Sequence, residues 1–134
     1  MPAESPPGPA SAGAVVYATN LERLRGFYAR VAGLTMVRRE ADFAQLRAGG
    51  FELVLHQIPA HIAASLYLAD PPQRREDSAI KLVFAVPSIA AARADATALG
   101  GIVDAPDREW RFDGWTICDG HDPEGNVIQL RQAD

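Results

Sequence analysis

The 134 residues, 48% of them hydrophobic, suffice for one domain that buries roughly two-thirds of its unfolded surface and exclude a second core. The 13 basic and 17 acidic side chains are interspersed to a net charge of −4 and offer no basic face to a phosphate backbone, so no nucleic acid partner is expected. A single cysteine, Cys118, excludes an internal disulfide and fits a reducing cytoplasm, and no apolar run is long enough to span a bilayer.

The opening Met1-Pro2-Ala3-Glu4-Ser5-Pro6-Pro7-Gly8-Pro9 lacks the cationic start and apolar run of a signal peptide. Residues 1–12 are therefore expected as a disordered tail and the protein as cytoplasmic. Ala14 to Ala18 reads as a strand. Asn20 then caps a helix whose Leu21, Leu24, Phe27, Tyr28 and Val31 share one face, and Gly33 closes it. Thr35 to Arg39 and Phe43 to Arg47 form a hairpin about Ala41-Asp42, and Gly49-Gly50 turns the chain into a strand from Phe51 to Gln57.

Pro59 to Ala79 connects this half to the next. It holds a short helix or flap over His61 to Tyr67 and an irregular, exposed stretch from Pro71 to Asp77. The connection either lies over a cavity mouth or runs across the surface as a linker. Ile80 to Val86 then reads as a strand, and Ser88 caps a helix with Ile89, Ala92, Ala96 and Leu99 on its buried face, ended by Gly100-Gly101. Further strands are expected near Ile102 to Asp104, Glu109 to Phe112, Trp115 to Cys118 and Asn126 to Arg131, the pairing of the middle ones being open.

The two halves repeat one another. Val16, Leu21 and Gly33 of the first correspond to Phe84, Ile89 and Gly101 of the second, each 68 positions further on. Each copy is one supersecondary unit, strand, capped helix and glycine exit followed by strands, that would leave a sheet face uncovered alone. The fold class is α+β, with two βαβββ modules in tandem (13–58 and 80–132, connection 59–79) forming one domain over 13–134. Their curved sheets are expected to enclose a central cavity.

Asp122-Pro123-Glu124-Gly125-Asn126-Val127-Ile128-Gln129-Leu130 and Asn20-Leu21-Glu22-Arg23-Leu24-Arg25-Gly26-Phe27-Tyr28, with Gly33-Leu34 beyond, carry a family resemblance. Together with the repeat, they resemble the vicinal oxygen chelate superfamily: the glyoxalase, bleomycin-resistance and extradiol dioxygenase proteins. The resemblance implies a divalent metal held by His, Glu or Gln on the first and last strands of each module, with open positions for a substrate's adjacent oxygens. Small members commonly dimerise, and open sheet edges give a reason to, so a homodimer is expected.

Transferred position by position, those ligands fall on Gly13, Val54, Lys81 and Gln129, with Glu52 and His56 two residues from Val54 on the same face. Glycine and valine offer no donor, and an ammonium repels a cation, so ligand count favours a site without a metal. The alternative is a divalent metal near Glu52, His56 and Gln129, serving a lyase or dioxygenase of the superfamily.

By the alternation of strand faces, Tyr17, Glu52, Val54, His56, Lys81, Val83, Gln129 and Arg131 look into the cavity. Trp110 and Trp115 provide an aromatic wall, or else pack in the core or at a dimer contact. Lys81 and Arg131 together suit a carboxylate, enolate or phosphate on a ligand, unless Lys81 pairs with Glu52 and seals the cavity floor. Catalytic residues are not identifiable. No phosphate loop, His-Glu-x-x-His helix, cysteine pair or nucleophile elbow occurs. The function read from the sequence is metal-independent binding of a small molecule, an anion included, in the cavity between the modules. A protein that works only by contacting another protein is the blander reading.

Overall fold

A computed structural model describes residues 10–65 and 72–134. In the first module, β1 (Ala12–Ala18) leads to α1 (Leu21–Arg30), β2 (Thr35–Arg39), β3 (Phe43–Ala48) and β4 (Phe51–Gln57). A single helical turn, α2 (Ala60–Ala63), follows. The second module comprises β5 (Leu82–Ala85), α3 (Ile89–Ala98), β6 (Ile102–Val103), β7 (Trp110–Phe112), β8 (Trp115–His121) and β9 (Val127–Ala133).

The repeat is visible in the strand order. One sheet runs β1-β4-β3-β2 and the other β5-β9-β8-β6, with β7 also on β8. In each, the first strand lies parallel to the last, and the remaining pairs are antiparallel. The open question of the middle strands resolves physically. β6 and β7 are two pieces of one strand along β8, opposite its C-terminal and N-terminal parts. Pro106 starts a 3₁₀ turn over Pro106–Arg108 that breaks the ladder between them.

Several boundaries differ from the sequence expectation. β1 begins at Ala12, because the Ser11 and Ala12 amides already bond to the Gly50 carbonyl. β5 is shorter than expected, and β8 continues past Cys118 to His121, paired with β9 throughout. Of the helix or flap expected over His61 to Tyr67, one turn is present. Leu66 and Tyr67 lie outside the described residues, as do residues 1–9 of the expected tail.

Both helices form where local chemistry places them. The Asn20 side chain accepts the Arg23 amide at 3.1 Å and the Ser88 hydroxyl accepts the Ala91 amide at 3.1 Å, each bond satisfying a helix-end donor. A second cap comes from far along the chain. The Leu21 amide donates to Gln57 Oε1 at 2.9 Å, and the Ile89 amide to Gln132 Oε1 at 2.8 Å. A glutamine on the last strand of each module thus holds the start of that module's helix.

Leu24, Phe27 and Tyr28 of α1 are wholly buried, as are Leu53 and Leu55 of β4 and Ile128 and Leu130 of β9, in a core shared by both modules. An aromatic chain crosses it: Phe27 meets Tyr28 edge-on at 5.3 Å, Tyr28 meets Phe84 at 5.7 Å, and Phe84 meets Phe51 at 6.1 Å. Gly101 is required here, since a Cβ would lie 2.5 Å from the Phe27 ring. With one face of each sheet on this core, the other is left open: Val15, Tyr17 and Val83 are 58%, 65% and 44% exposed.

Candidate functional site

The registers place the anticipated residues on the two open faces. On the first sheet, Glu52 lies opposite Gly13 and Arg47, Val54 opposite Val15 and Gln45, and His56 opposite Tyr17 and Phe43. On the second, Val83, Gln129 and Asp119 form one row, and Ala85, Arg131, Ile117 and Trp110 the next. Trp115 and Phe112 pair beyond them.

The polar groups of the second face form a relay. Lys81 Nζ donates to Asp119 Oδ2 at 2.8 Å, Gln129 Nε2 to Asp119 Oδ1 at 3.2 Å, and Arg131 Nε to Gln129 Oε1 at 3.0 Å. This corrects the alternative in which Lys81 pairs with Glu52. β9 lies between β5 and β8, and the long lysine side chain reaches over it to Asp119, whereas Glu52 is on the other sheet and takes the Gln45 amide. His56 is exposed, its Nδ1 3.1 Å from the Gln57 carbonyl and its ring 6.3 Å from Tyr17. Trp110 is exposed and Trp115 half-buried, so neither packs in the core.

A cavity of about 450 Å³ opens along the free edge of β1. Consecutive residues from Ala14 to Tyr17 line it, so it addresses the edge of the strand rather than one face, and it reaches the open faces at Val15, Tyr17 and Val127. Ile80 and Leu82, the neighbours of Lys81, line it as well, and so do Arg75 and Ser78. The described end of the connection therefore borders the cavity. Among the anticipated site residues only Tyr17 lines it. Tyr28, Arg75 and Asn126 were missed, although the last stands in a motif whose turn brings it there.

That turn joins the modules. Asp122 is fully buried: its Oδ1 accepts the amides of Glu124 and Asn126 at 2.9 and 3.0 Å, and its Oδ2 accepts Tyr28 Oη and Asn126 Nδ2, both at 2.7 Å. The Glu124 carboxylate accepts the Thr19 amide at 2.9 Å, the Thr19 hydroxyl at 3.0 Å and the Asn20 amide at 3.1 Å, placing negative charge at the start of α1. Arg75 closes the connection onto the same turn, its amide on the Gly125 carbonyl at 2.9 Å and Nη2 on the Glu124 carbonyl at 3.1 Å.

Burial raises the Asp122 carboxyl above its ordinary value, and the bonds from Tyr28 and Asn126 pull it back down. Burial, then the Asp122 charge, pushes the Tyr28 hydroxyl well up, so Tyr28 stays the donor. A raised carboxyl binds its proton more tightly folded than unfolded. The part of its stability linked to that proton is thus complete below about 3.8 and is lost as pH rises through the folded value, while the hydrogen bonds that the carboxylate accepts persist. Tyr28→Phe removes a donor to the carboxylate, so the Asp122 titration, followed by carboxyl ¹³C NMR, is expected to move further up. The variant is expected to lose roughly 1–2 kcal/mol. An unmoved titration would refute the assignment of Tyr28 as the stabilising donor.

The sequence pattern of the glyoxalase-like domain matches residues 13–131. The chain belongs to this family. No curated protein matches the chain. Among solved structures, the domain is similar to a glyoxalase/bleomycin resistance protein from Albidiferax ferrireducens, with 21% identity and a TM-score of 0.64 over 92% of this chain and 98% of that one. It is similar to a glyoxalase/bleomycin resistance protein/dioxygenase family enzyme from Burkholderia phytofirmans, with 17% identity and a TM-score of 0.65 over 91% and 97%. A third is the bleomycin resistance determinant encoded on transposon Tn5, with 19% identity and a TM-score of 0.56 over 92% and 98%. These likenesses establish the fold of the glyoxalase-like domain, which the vicinal oxygen chelate resemblance anticipated.

At the positions where the superfamily places its metal ligands, the described residues of this glyoxalase-like domain do not fit a divalent ion. A side chain at Gly13 would start 2.6 Å from the Glu52 carbonyl oxygen, so a ligand there is blocked as well as missing. Lys81 and Gln129 are both spent on Asp119. Among the described residues, no three His, Cys, Asp or Glu side chains come together as a cation would need. Nor, among them, is any helix long and apolar enough to cross a membrane.

Proposed function

We propose that this glyoxalase-like domain binds a small molecule without a metal, in the cavity between its modules, and does so as a homodimer. The observation that carries the metal-free part of the reading is Lys81, which borders the cavity between two of its lining residues: a cation where the superfamily places a ligand to one, held in a 2.8 Å ion pair with Asp119. A cavity of about 450 Å³ has the size of a small-molecule site, and Val15, Leu82 and Val127 supply the apolar wall such sites use. The exposed Val15, Tyr17 and Val83 and the free edges of β1 and β5 give a second copy a surface to cover. A buried thiol at Cys118 suits the reducing cytoplasm, where we place the protein.

Native mass spectrometry of protein purified without chelators tests both parts. The expected species is a dimer that carries far less than one metal per chain, also after incubation with zinc, nickel, manganese and iron(II). Near-stoichiometric metal would overturn the metal-independent reading, and a monomer persisting at high concentration would overturn the dimer.

A further inference from the structure

We propose that Arg131 is an anion receptor, its guanidinium aimed by the relay of Lys81, Asp119 and Gln129 at the carboxylate of a ligand with an apolar or aromatic body. Arg131 does not line the cavity but stands on the open face that the cavity reaches at Val127, four residues back along β9. The inference rests on the binding reading above and extends its site along that face to an organic monoanion.

The relay has one consistent polarity. Asp119 accepts only, so Gln129 must turn its NH₂ toward Asp119, which leaves Oε1 facing the other way to accept from Arg131 Nε at 3.0 Å. The guanidinium is thereby held by its Nε, and among the described residues its two terminal nitrogens have no protein partner. Those nitrogens form one edge of the guanidinium fork, which matches the two oxygens of a carboxylate. The charge count agrees. Lys81 and Asp119 cancel, and no described carboxylate pairs with Arg131, so the face keeps one uncompensated positive charge.

Lys81 is thus not the receptor. Its ammonium is engaged, and it acts as a positioning residue by keeping Asp119 turned toward Gln129. The surroundings specify the rest of the ligand. The exposed Ala85 flanks Arg131 on one side of its row, the exposed Trp110 stands on the other beyond the buried Ile117, the half-buried Trp115 is in the adjacent row, and the exposed Val83 lies past Gln129. An apolar or aromatic body beside the fork finds contacts there that an inorganic anion would not use. Arg131 is half-buried, so an ion pair formed at it is screened less than one on the open surface.

The test uses 1-naphthoate and 1-naphthamide, which share a body and differ in charge, titrated into ¹⁵N-labelled protein. Naphthoate is expected to bind wild type about ten- to a hundredfold more tightly than naphthamide. Arg131→Gln is expected to abolish that preference while still binding naphthamide, which also shows that the variant is folded. Gln129→Glu places a carboxylate on Arg131 and is expected to remove the preference too. Lys81→Met is expected to weaken naphthoate alone, with Lys81→Arg restoring it. Equal affinities in wild type, or a preference that survives Arg131→Gln, would overturn the role of Arg131 and leave the binding cavity standing. If neither probe shifted any amide of the open faces or of the cavity lining from Ala14 to Tyr17 and from Arg75 to Leu82, the cavity reading would fall with it.

Discussion

Asp122→Ala is expected to be the most damaging single substitution in this domain, at about 3–5 kcal/mol of folding stability. The carboxylate is wholly buried and accepts the Tyr28 hydroxyl, the amides of Glu124 and Asn126 and the Asn126 side chain. Alanine leaves the buried Tyr28 hydroxyl and Glu124 amide without an acceptor and frees the two half-buried Asn126 donors, and each buried donor without an acceptor costs roughly 1–3 kcal/mol. The damage spreads, because the turn also presents Glu124 to the start of α1 and a carbonyl to Arg75. Urea unfolding is the measurement, with a large fall in midpoint at an unchanged slope. A loss under about 1 kcal/mol would mean that water replaces the carboxylate and that the turn does not lock the modules.

The second large effect is expected at Gly125. Its φ of +86° lies in the left-handed region, and a Cβ there would stand 2.1 Å from the Gln73 carbonyl oxygen. Gly125→Ala meets both penalties. The conformation itself disfavours a side chain by about 1 kcal/mol, and the clash is with backbone, which cannot rotate away. The expected total is about 2–4 kcal/mol, with amide shifts from Gln73 through Ser78 as the connection is pushed off the turn. Because Arg75 and Ser78 line the cavity, the same shifts should extend to Tyr17 and Val127. A variant as stable as wild type would show that the turn and the connection are not in contact in solution.

Features set by neighbouring residues were legible without a structure. Asn20 and Ser88 cap their helices through the amide three residues on, a contact that any chain with that local sequence can make. The assignment of Ile128 and Leu130 to the core and of Gln129 and Arg131 to the open face needed only the alternation of a strand. The bonds from the Glu124 and Asn126 amides to the Asp122 side chain are local in the same way, spanning two and four residues.

Contacts between distant segments were not legible. Nothing near Gln57 or Gln132 marks either as the second cap of a helix, because the amides they accept lie 36 and 43 residues away in the chain. Glu124 is separated by 105 residues from Thr19, and its motif says that a turn forms, not what the turn will hold. Lys81 is the instructive case at the candidate site. Its face followed from the alternation, but its partner depended on which strand became the neighbour of β9, and the choice between Glu52 and Asp119 lay in the sheet order.

The sequence by itself determined the two modules, their helices with near caps, and which side of each strand meets the core, since hydrophobic period and capping act over a few residues. Only the tertiary structure decided that a glutamine on each last strand seals a helix, that the turn at Asp122 clamps one module to the other, and that no group among the described residues takes the outer nitrogens of Arg131. Hydrogen-bond partners far apart in the chain are selected by packing, and no local pattern of residues encodes which of several equivalent donors arrives first.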